Sequence, residues 1–129
     1  MSGKAVLLDT NIVVAHFRKP GTHDGALNQH QLHLPFVVAA ELYAGAQRSQ
    51  RPDHNREMVD IFLKSVRVLA CDLDTAKHYA DIWNKLAAKG SPIPQNDIWI
   101  AALARQHELP LVSNDSHFEN IADLDLITW

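Results

Sequence analysis

The chain has 129 residues, 47% apolar and 21% charged, the balance of an ordinary globular protein long enough to bury a core. A formal charge of −3 argues against binding nucleic acid through bulk attraction and leaves that task to local basic patches. The single cysteine, Cys71, excludes an internal disulfide framework. No apolar run approaches the roughly 18 residues of a membrane span, and no signal-peptide core follows residues 1–4. A single cytoplasmic domain over residues 1–129 is the expectation.

The run Ala5-Val6-Leu7-Leu8 leads straight into Asp9-Thr10-Asn11. Consecutive apolar residues suit a strand buried on both faces, as in a parallel sheet. Asp9 then stands at the strand's carboxyl end, where open α/β sheets place their ligands. An unpaired buried carboxylate is costly, so a cation, backbone donors or a substrate must satisfy it. Residues 12–17 begin a helix capped by Thr10 or Asn11 and broken at Lys19-Pro20-Gly21-Thr22. Residues 24–31 read as a short helix. Residues 32–37 read as a strand or a helix entry, with Pro35 arguing against a central, fully paired strand. Residues 38–46 are helical by their alanines, and Glu41 is their only charge. Such a glutamate sits either where the helix meets water or in a site.

Residues 47–55, with Arg48, Arg51 and Pro52, read as a loop, and residues 57–64 as an amphipathic helix presenting Met58, Ile61 and Phe62 on one face. A strand ending at Ala70 follows, beside which Cys71 reads as a small buried hydrophobe. Asp74 is the expected cap of a helix whose Ala76, Tyr79, Ala80, Trp83, Leu86 and Ala87 recur at helical spacing as a packing stripe. Gly90 ends it before the rigid connector Ser91-Pro92-Ile93-Pro94. The next helix, 96–105, carries Asp97 in its first turn, where the positive end of the helix dipole favours an acid. Leu109-Pro110-Leu111-Val112 is a short strand closing on Ser113-Asn114-Asp115, which repeats the opening pattern. Residues 123–129 alternate like an edge strand. Strands alternating with helices predict an α/β fold with a largely parallel sheet.

In such a sheet the strand ends and the helices leaving them share one face, so three of the four acids Asp9, Glu41, Asp97 and Asp115 can converge. Converging carboxylates repel, and the repulsion keeps some of them protonated unless a cation intervenes. Mg²⁺ or Mn²⁺ prefers such oxygen ligands, and a cation so held suits phosphodiester hydrolysis. Taken singly, Asp97 reads as a helix cap and Asp115 as the opening of a turn with Asn114; only the set points to chemistry. The eight histidines add no zinc spacing: His30 and His33 are three apart with no cysteine pair to join them. His16, near the first strand end, reads as packing.

The four segments Leu7-Leu8-Asp9-Thr10-Asn11, Ala40-Glu41-Leu42, Asn96-Asp97-Ile98-Trp99-Ile100-Ala101-Ala102 and Val112-Ser113-Asn114-Asp115 resemble, nearly end to end, those of the PIN-domain ribonucleases. Within that family the likeness is to the VapC-type toxins of bacterial toxin–antitoxin pairs. The resemblance implies a three-layer α/β/α sandwich with a central, mainly parallel sheet, and Mg²⁺- or Mn²⁺-dependent endonucleolytic cleavage of RNA. It implies that Asp9, Glu41, Asp97 and Asp115 bind or organise the metal and position the attacking water, Asp9 and Asp97 foremost as direct ligands. Thr10, Asn11, Ser113 and Asn114 would orient carboxylates or waters around it; Ser113 stands where many members carry threonine and keeps the hydroxyl. Trp99 would pack in the core. The resemblance also implies a VapB-type antitoxin lying across the active-site groove, a homodimer, larger toxin–antitoxin assemblies, contact with DNA only through the antitoxin, and no membrane. Arg18, Lys19, Arg48 and Arg51 are the candidate RNA phosphate contacts.

Three other readings compete. A haloacid-dehalogenase-like phosphatase also opens on a strand ending in Asp-x-Asp, but Asn11 replaces the second acid and residues 109–114 lack the required lysine. A receiver-like phosphoacceptor would want paired acids after the first strand, where the chain has Asp9-Thr10. A PIN fold serving as a non-catalytic binding scaffold has no need of clustered, repelling carboxylates.

Overall fold

The computed structural model describes residues 3–129. Five strands form one sheet in the order β3-β2-β1-β4-β5, every pair parallel. β1 (Ala5–Leu8) lies at its centre, with β2 (Gln31–Pro35) on one side and β4 (Leu111–Val112) on the other. β3 (Arg67–Leu69) and β5 (Leu126–Ile127) are the edges. The chain moves from β1 to β2 to β3 in one direction and then crosses back to β4. Right-handed crossovers therefore place the helices of the first two connections on one face and those of the third on the other. The outcome is the expected α/β/α sandwich.

Between β1 and β2 come α1 (Thr10–Arg18) and α2 (Asp24–Gln29), and between β2 and β3 come α3 (Phe36–Arg48) and α4 (Pro52–Leu63). The long crossover holds α5 (Leu73–Lys89) and α6 (Gln95–Gln106), and a 3₁₀ turn, Ser116–Asn120, leads from β4 to β5. α3 packs on α4, α5 on α6. β1 is apolar because both its faces are covered: Val6, Leu7 and Leu8 are all buried. In α6, Ile98 and residues 100–104 are buried, so the helix is apolar nearly all round and sits inside the sandwich. No helix among the described residues is long and apolar enough to cross a membrane.

Several local expectations are corrected. α1 is capped by Asp9, one residue earlier than Thr10 or Asn11, because the Asp9 side chain accepts the Thr10 N–H. α2 stops at Gln29, and Gln31 already pairs with Ala5 in the sheet. β2 is paired on both sides despite Pro35, which is tolerated because it is the last residue of the strand and also stands at the N-cap of α3. Most of 47–55 is helical: α3 runs to Arg48 and α4 starts at Pro52, where the missing N–H of proline is no loss. α4 buries Val59 and Phe62, leaving Met58 and Ile61 exposed.

The cap of α5 is Asp72, whose side chain accepts the Thr75 N–H while the Thr75 hydroxyl accepts the Asp72 N–H. Gly90 ends α5 as expected, at φ 67°, a left-handed conformation that glycine adopts without penalty. The buried stripe of α5 is Thr75, Ile82 and Leu86 with Tyr79 half-buried, whereas Ala76, Ala80, Trp83 and Ala87 are exposed. Leu86 and Tyr79 of the expected stripe do face inward, and packing against α6 turns the helix so that Thr75 and Ile82 join them in place of the alanines and Trp83. Trp99 is half-buried, stacked on Tyr79 with ring centroids 4.0 Å apart.

The corrected stripe has a measurable consequence. Ile82→Ala is expected to lower stability in urea unfolding by about 2–5 kcal/mol, and Trp83→Ala by no more than about 0.5 kcal/mol. The reverse order would restore the face read from spacing alone.

Candidate active site

The direction of chain travel reverses at β1, where β2 and β4 flank it. That makes the carboxyl ends of β1 and β4 the topological switch point of the sheet, the place where open α/β sheets hold ligands. Register decides what meets there. Leu8 pairs with Val112, and the Asp9 N–H donates to the Val112 carbonyl at 3.0 Å. Asp9 and Ser113 are therefore neighbours just past the two strands, and the Ser113 hydroxyl donates to Asp9 Oδ2 at 2.7 Å. Thr10 N–H donates to Asp9 Oδ1 at 2.8 Å.

Asp9 is only 4% exposed. Burial pushes its carboxyl up to about 6, the two hydrogen bonds oppose that rise, and the charges of Asp97 and Asp115 add to it. Asp97, in the first turn of α6, is also raised, chiefly by burial and further by Asp115, while His117 acts against the rise. Asp115 takes its place through Ser113, whose Oγ accepts the Asp115 N–H at 2.9 Å. One serine hydroxyl thus positions two of the acids.

Glu41 stands at the edge of this group on α3. Thr10 Oγ1 donates to its Oε2 at 3.1 Å and Asn96 Nδ2 to its Oε1 at 3.5 Å. Thr10 consequently ties the first acid to the second through its backbone N–H and its hydroxyl. Asn11 Oδ1 is buried and meets no donor among the described residues, and Asn114 is exposed. His16, as expected, packs: its ring lies 5.9 Å from that of Phe17 and 6.0 Å from that of Phe62.

Sequence reasoning missed His117. It lies in the 3₁₀ turn capped by Asp115, which accepts the His117 N–H, and its Nδ1 is 2.9 Å from Asp97 Oδ2 and 3.1 Å from Asp115 Oδ1. Its imidazole is raised above the usual histidine range, first by the hydrogen bond to Asp97. The available signal was the Asp115-Ser116-His117 spacing, in which a capping acid turns the residue two positions on back towards itself.

Among the described residues no lysine or arginine lies within ion-pair distance of Asp9, Glu41, Asp97 or Asp115. Asp97, Asp115 and His117 bring one ligand atom each to within 4.8 Å of one another. Oxygen donors that repel one another, with no lysine or arginine among them, match the chemistry of a hard divalent ion. From Thr10 and Glu41 a groove of about 720 Å³ leads between α1, α3 and α4. Val14, Phe17, Leu42 and Met58 give it an apolar lining, and Arg18 and Arg48 border it. Lys19 and Arg51, also expected at phosphates, are exposed in the adjoining segments and do not line it.

A parallel α/β/α sandwich with three acids gathered at its switch point defines a class of protein, and comparison with known proteins says which. The PIN-domain family model matches residues 6–124, and the chain belongs to that family, in its VapC branch. It is 35% identical to "Ribonuclease VapC2" of Haemophilus influenzae over 127 residues, covering 95% of this chain and 96% of that one. It is 33% identical to the "tRNA(fMet)-specific endonuclease VapC" of Shigella flexneri, with the same coverage. Among solved structures it is similar to the DNA-bound VapBC of Salmonella typhimurium, with TM-score 0.89, 29% identity and coverage of 100% of this chain and 99% of that one.

The site predicts an unusual pH response. Since the folded Asp9 pKa is raised from 3.8 to about 6, the stability tied to its proton is fully present below pH 3.8 and is lost as pH rises through 6. Asp9→Asn in metal-free buffer should therefore gain up to about 3 kcal/mol at pH 7.5, with the gain shrinking towards zero near pH 4. Urea unfolding of both proteins at the two pH values checks this.

Proposed function

We propose that this chain is a metal-dependent endoribonuclease, the toxin of a type II toxin–antitoxin pair. The observation that carries the reading is the convergence of Asp9, Asp97 and Asp115 at the switch point with no lysine or arginine to neutralise them. Asp9 and Asp97 are the principal ligands of Mg²⁺ or Mn²⁺, Asp115 completes the set, and Glu41 organises the rim of the site on the side from which the groove departs. A cation held by these residues would activate water for attack and offset the charge developing on the scissile phosphate. Ser113 and Thr10 hold the carboxylates against their mutual repulsion, and Asn11 and Asn114 supply further polar groups for waters at the site. Asp97 is anchored in the first turn of α6, whose Ile98 and residues 100–104 are buried, so the core sets its position.

RNA enters along the groove, where Arg18 and Arg48 meet its phosphates and Lys19 and Arg51 add positive potential from outside. A net-acidic protein with local cations of this kind gains affinity through a few contacts only. The VapB-type antitoxin fits the same groove, whose apolar lining suits a protein segment and whose end at Glu41 and Thr10 would be covered by it. We extend the reading to a homodimer, to larger assemblies with antitoxin and to DNA contact through the antitoxin. The names of the relatives support RNA as substrate, and the VapBC complex of Salmonella supports the partner. The phosphatase alternative lacks its lysine at the acids.

Purified protein free of antitoxin should cut total cellular RNA into discrete fragments with Mg²⁺ or Mn²⁺ and not with EDTA. Asp97→Ala should lower the rate by about 100-fold or more, beyond the effect typical of outer partners of a metal. Folded protein that cuts nothing with any cation would favour the scaffold reading. Replacing Arg18 and Arg48 together by alanine should flatten the salt dependence of RNA binding by about 1.4 in log–log slope, roughly 0.7 for each lost phosphate contact to a single strand. Titrations by fluorescence anisotropy at several salt concentrations measure that slope.

A further inference from the structure

Three features lie outside the functions assigned above. The exposed face of α5 with Trp83 and Leu73 is apolar, but nothing packed on it identifies an occupant. The hollow between α5, α6 and the 3₁₀ turn is bordered by Lys85, Lys89 and Arg105, whose charges are already engaged by Asp81 and by the Asn120 carbonyl. The third is His117, and its geometry carries further.

We propose that His117 Nδ1 is a direct ligand of the catalytic cation and makes the site prefer Mn²⁺ to Mg²⁺. The inference rests on the metal-dependent reading above and adds to it a nitrogen donor. Nδ1 is 2.9 Å from Asp97 Oδ2 and 3.1 Å from Asp115 Oδ1. An octahedral ion with ligand bonds of about 2.1 Å has adjacent ligands about 3.0 Å apart. The imidazole nitrogen is thus spaced from each carboxylate as a neighbouring ligand of one ion would be. It is also held there: the backbone N–H of His117 donates to Asp115 Oδ1 at 2.9 Å, which fixes the turn from which the ring projects. One ring nitrogen carries at most one proton, so without a cation it shares a single hydrogen bond between two carboxylates; deprotonated, its lone pair points to the position from which a cation would meet all three groups.

The chemical consequence concerns which ion binds. Mg²⁺ strongly favours oxygen and gives up water reluctantly, whereas first-row transition ions accept imidazole alongside carboxylate. An all-carboxylate site treats Mg²⁺ and Mn²⁺ more evenly than one with a nitrogen in it. His117 therefore acts as the discriminating ligand of the set.

Pulsed EPR of Mn²⁺ bound to the tag-free protein tests this without any substrate. The expected result is nitrogen hyperfine modulation in the wild type that disappears in His117→Ala. Calorimetric titration should show the variant losing roughly tenfold or more in Mn²⁺ affinity, the scale on which the partners of a bound metal act, with a smaller change for Mg²⁺. Bound Mn²⁺ without nitrogen modulation, or modulation that persists in the variant, would overturn the inference and leave metal-dependent cleavage standing. A variant that binds both cations more tightly would also overturn it, showing that the imidazole competes with the metal as an internal cation. If the wild type binds neither cation, this inference and the metal-dependent function fail together. The His117 side chain is 45% exposed on a surface turn, and the wild-type spectrum decides the question of ligation even if the variant is unstable.

Discussion

The structure turns on one buried carboxylate. Asp9 stands at the end of the central strand, almost fully enclosed, where ionisation is opposed by burial and by two neighbouring acids. Left alone, such a group would cost several kcal/mol or stay protonated. It is kept in place by the Thr10 backbone and the Ser113 hydroxyl. Those two contacts bind the start of α1 and the end of β4 to the same point. Parallel register between β1 and β4 is what delivers Ser113 there; a slip by one residue would turn its side chain to the opposite face of the sheet.

The surrounding core explains how this arrangement survives. Half of the residues of α6 are buried, and β1 and β4 carry no exposed apolar residue. Repulsion at the switch point is therefore set against a large apolar interior, and the acids are held where they would not gather unaided. On the function proposed above, the same charges that oppose folding would attract the cation. Under that proposal stability and function would pull against each other at Asp9.

Charge also explains the layout around the site. The acids and the arginines are kept apart: Arg18 and Arg48 border the groove, and none lies among the carboxylates. Glu41 sits between the two regions, joined to Asp9 through Thr10 and to α6 through Asn96. Histidine, unlike lysine or arginine, brings to the acids a group able to neutralise them or to join them as a ligand. That is the chemical distinction of His117.

The sequence by itself determined a good deal: the alternation of elements, the parallel sheet, the acid after each of two strands, the acid opening α6 and the odd glutamate of α3. These are local patterns, set by apolar runs, caps and breakers, and they are legible because period and chain direction fix where a strand end or helix start will face. Tertiary structure alone decided which of two helical faces of α5 is inside, that Asp72 and not Asp74 caps it, and that Pro35 ends a strand paired on both sides. It alone showed that Asp97, Asp115 and His117 form the close group, that Asp9 is joined to it through Ser113, and that Glu41 is linked at its edge through Thr10. His117 belongs to this second kind, because its role depends on the distance between a turn after β4 and the first turn of α6, twenty residues earlier in the chain. Spacing along a sequence specifies neighbours within one element; contacts between elements depend on register and packing, which no single segment contains.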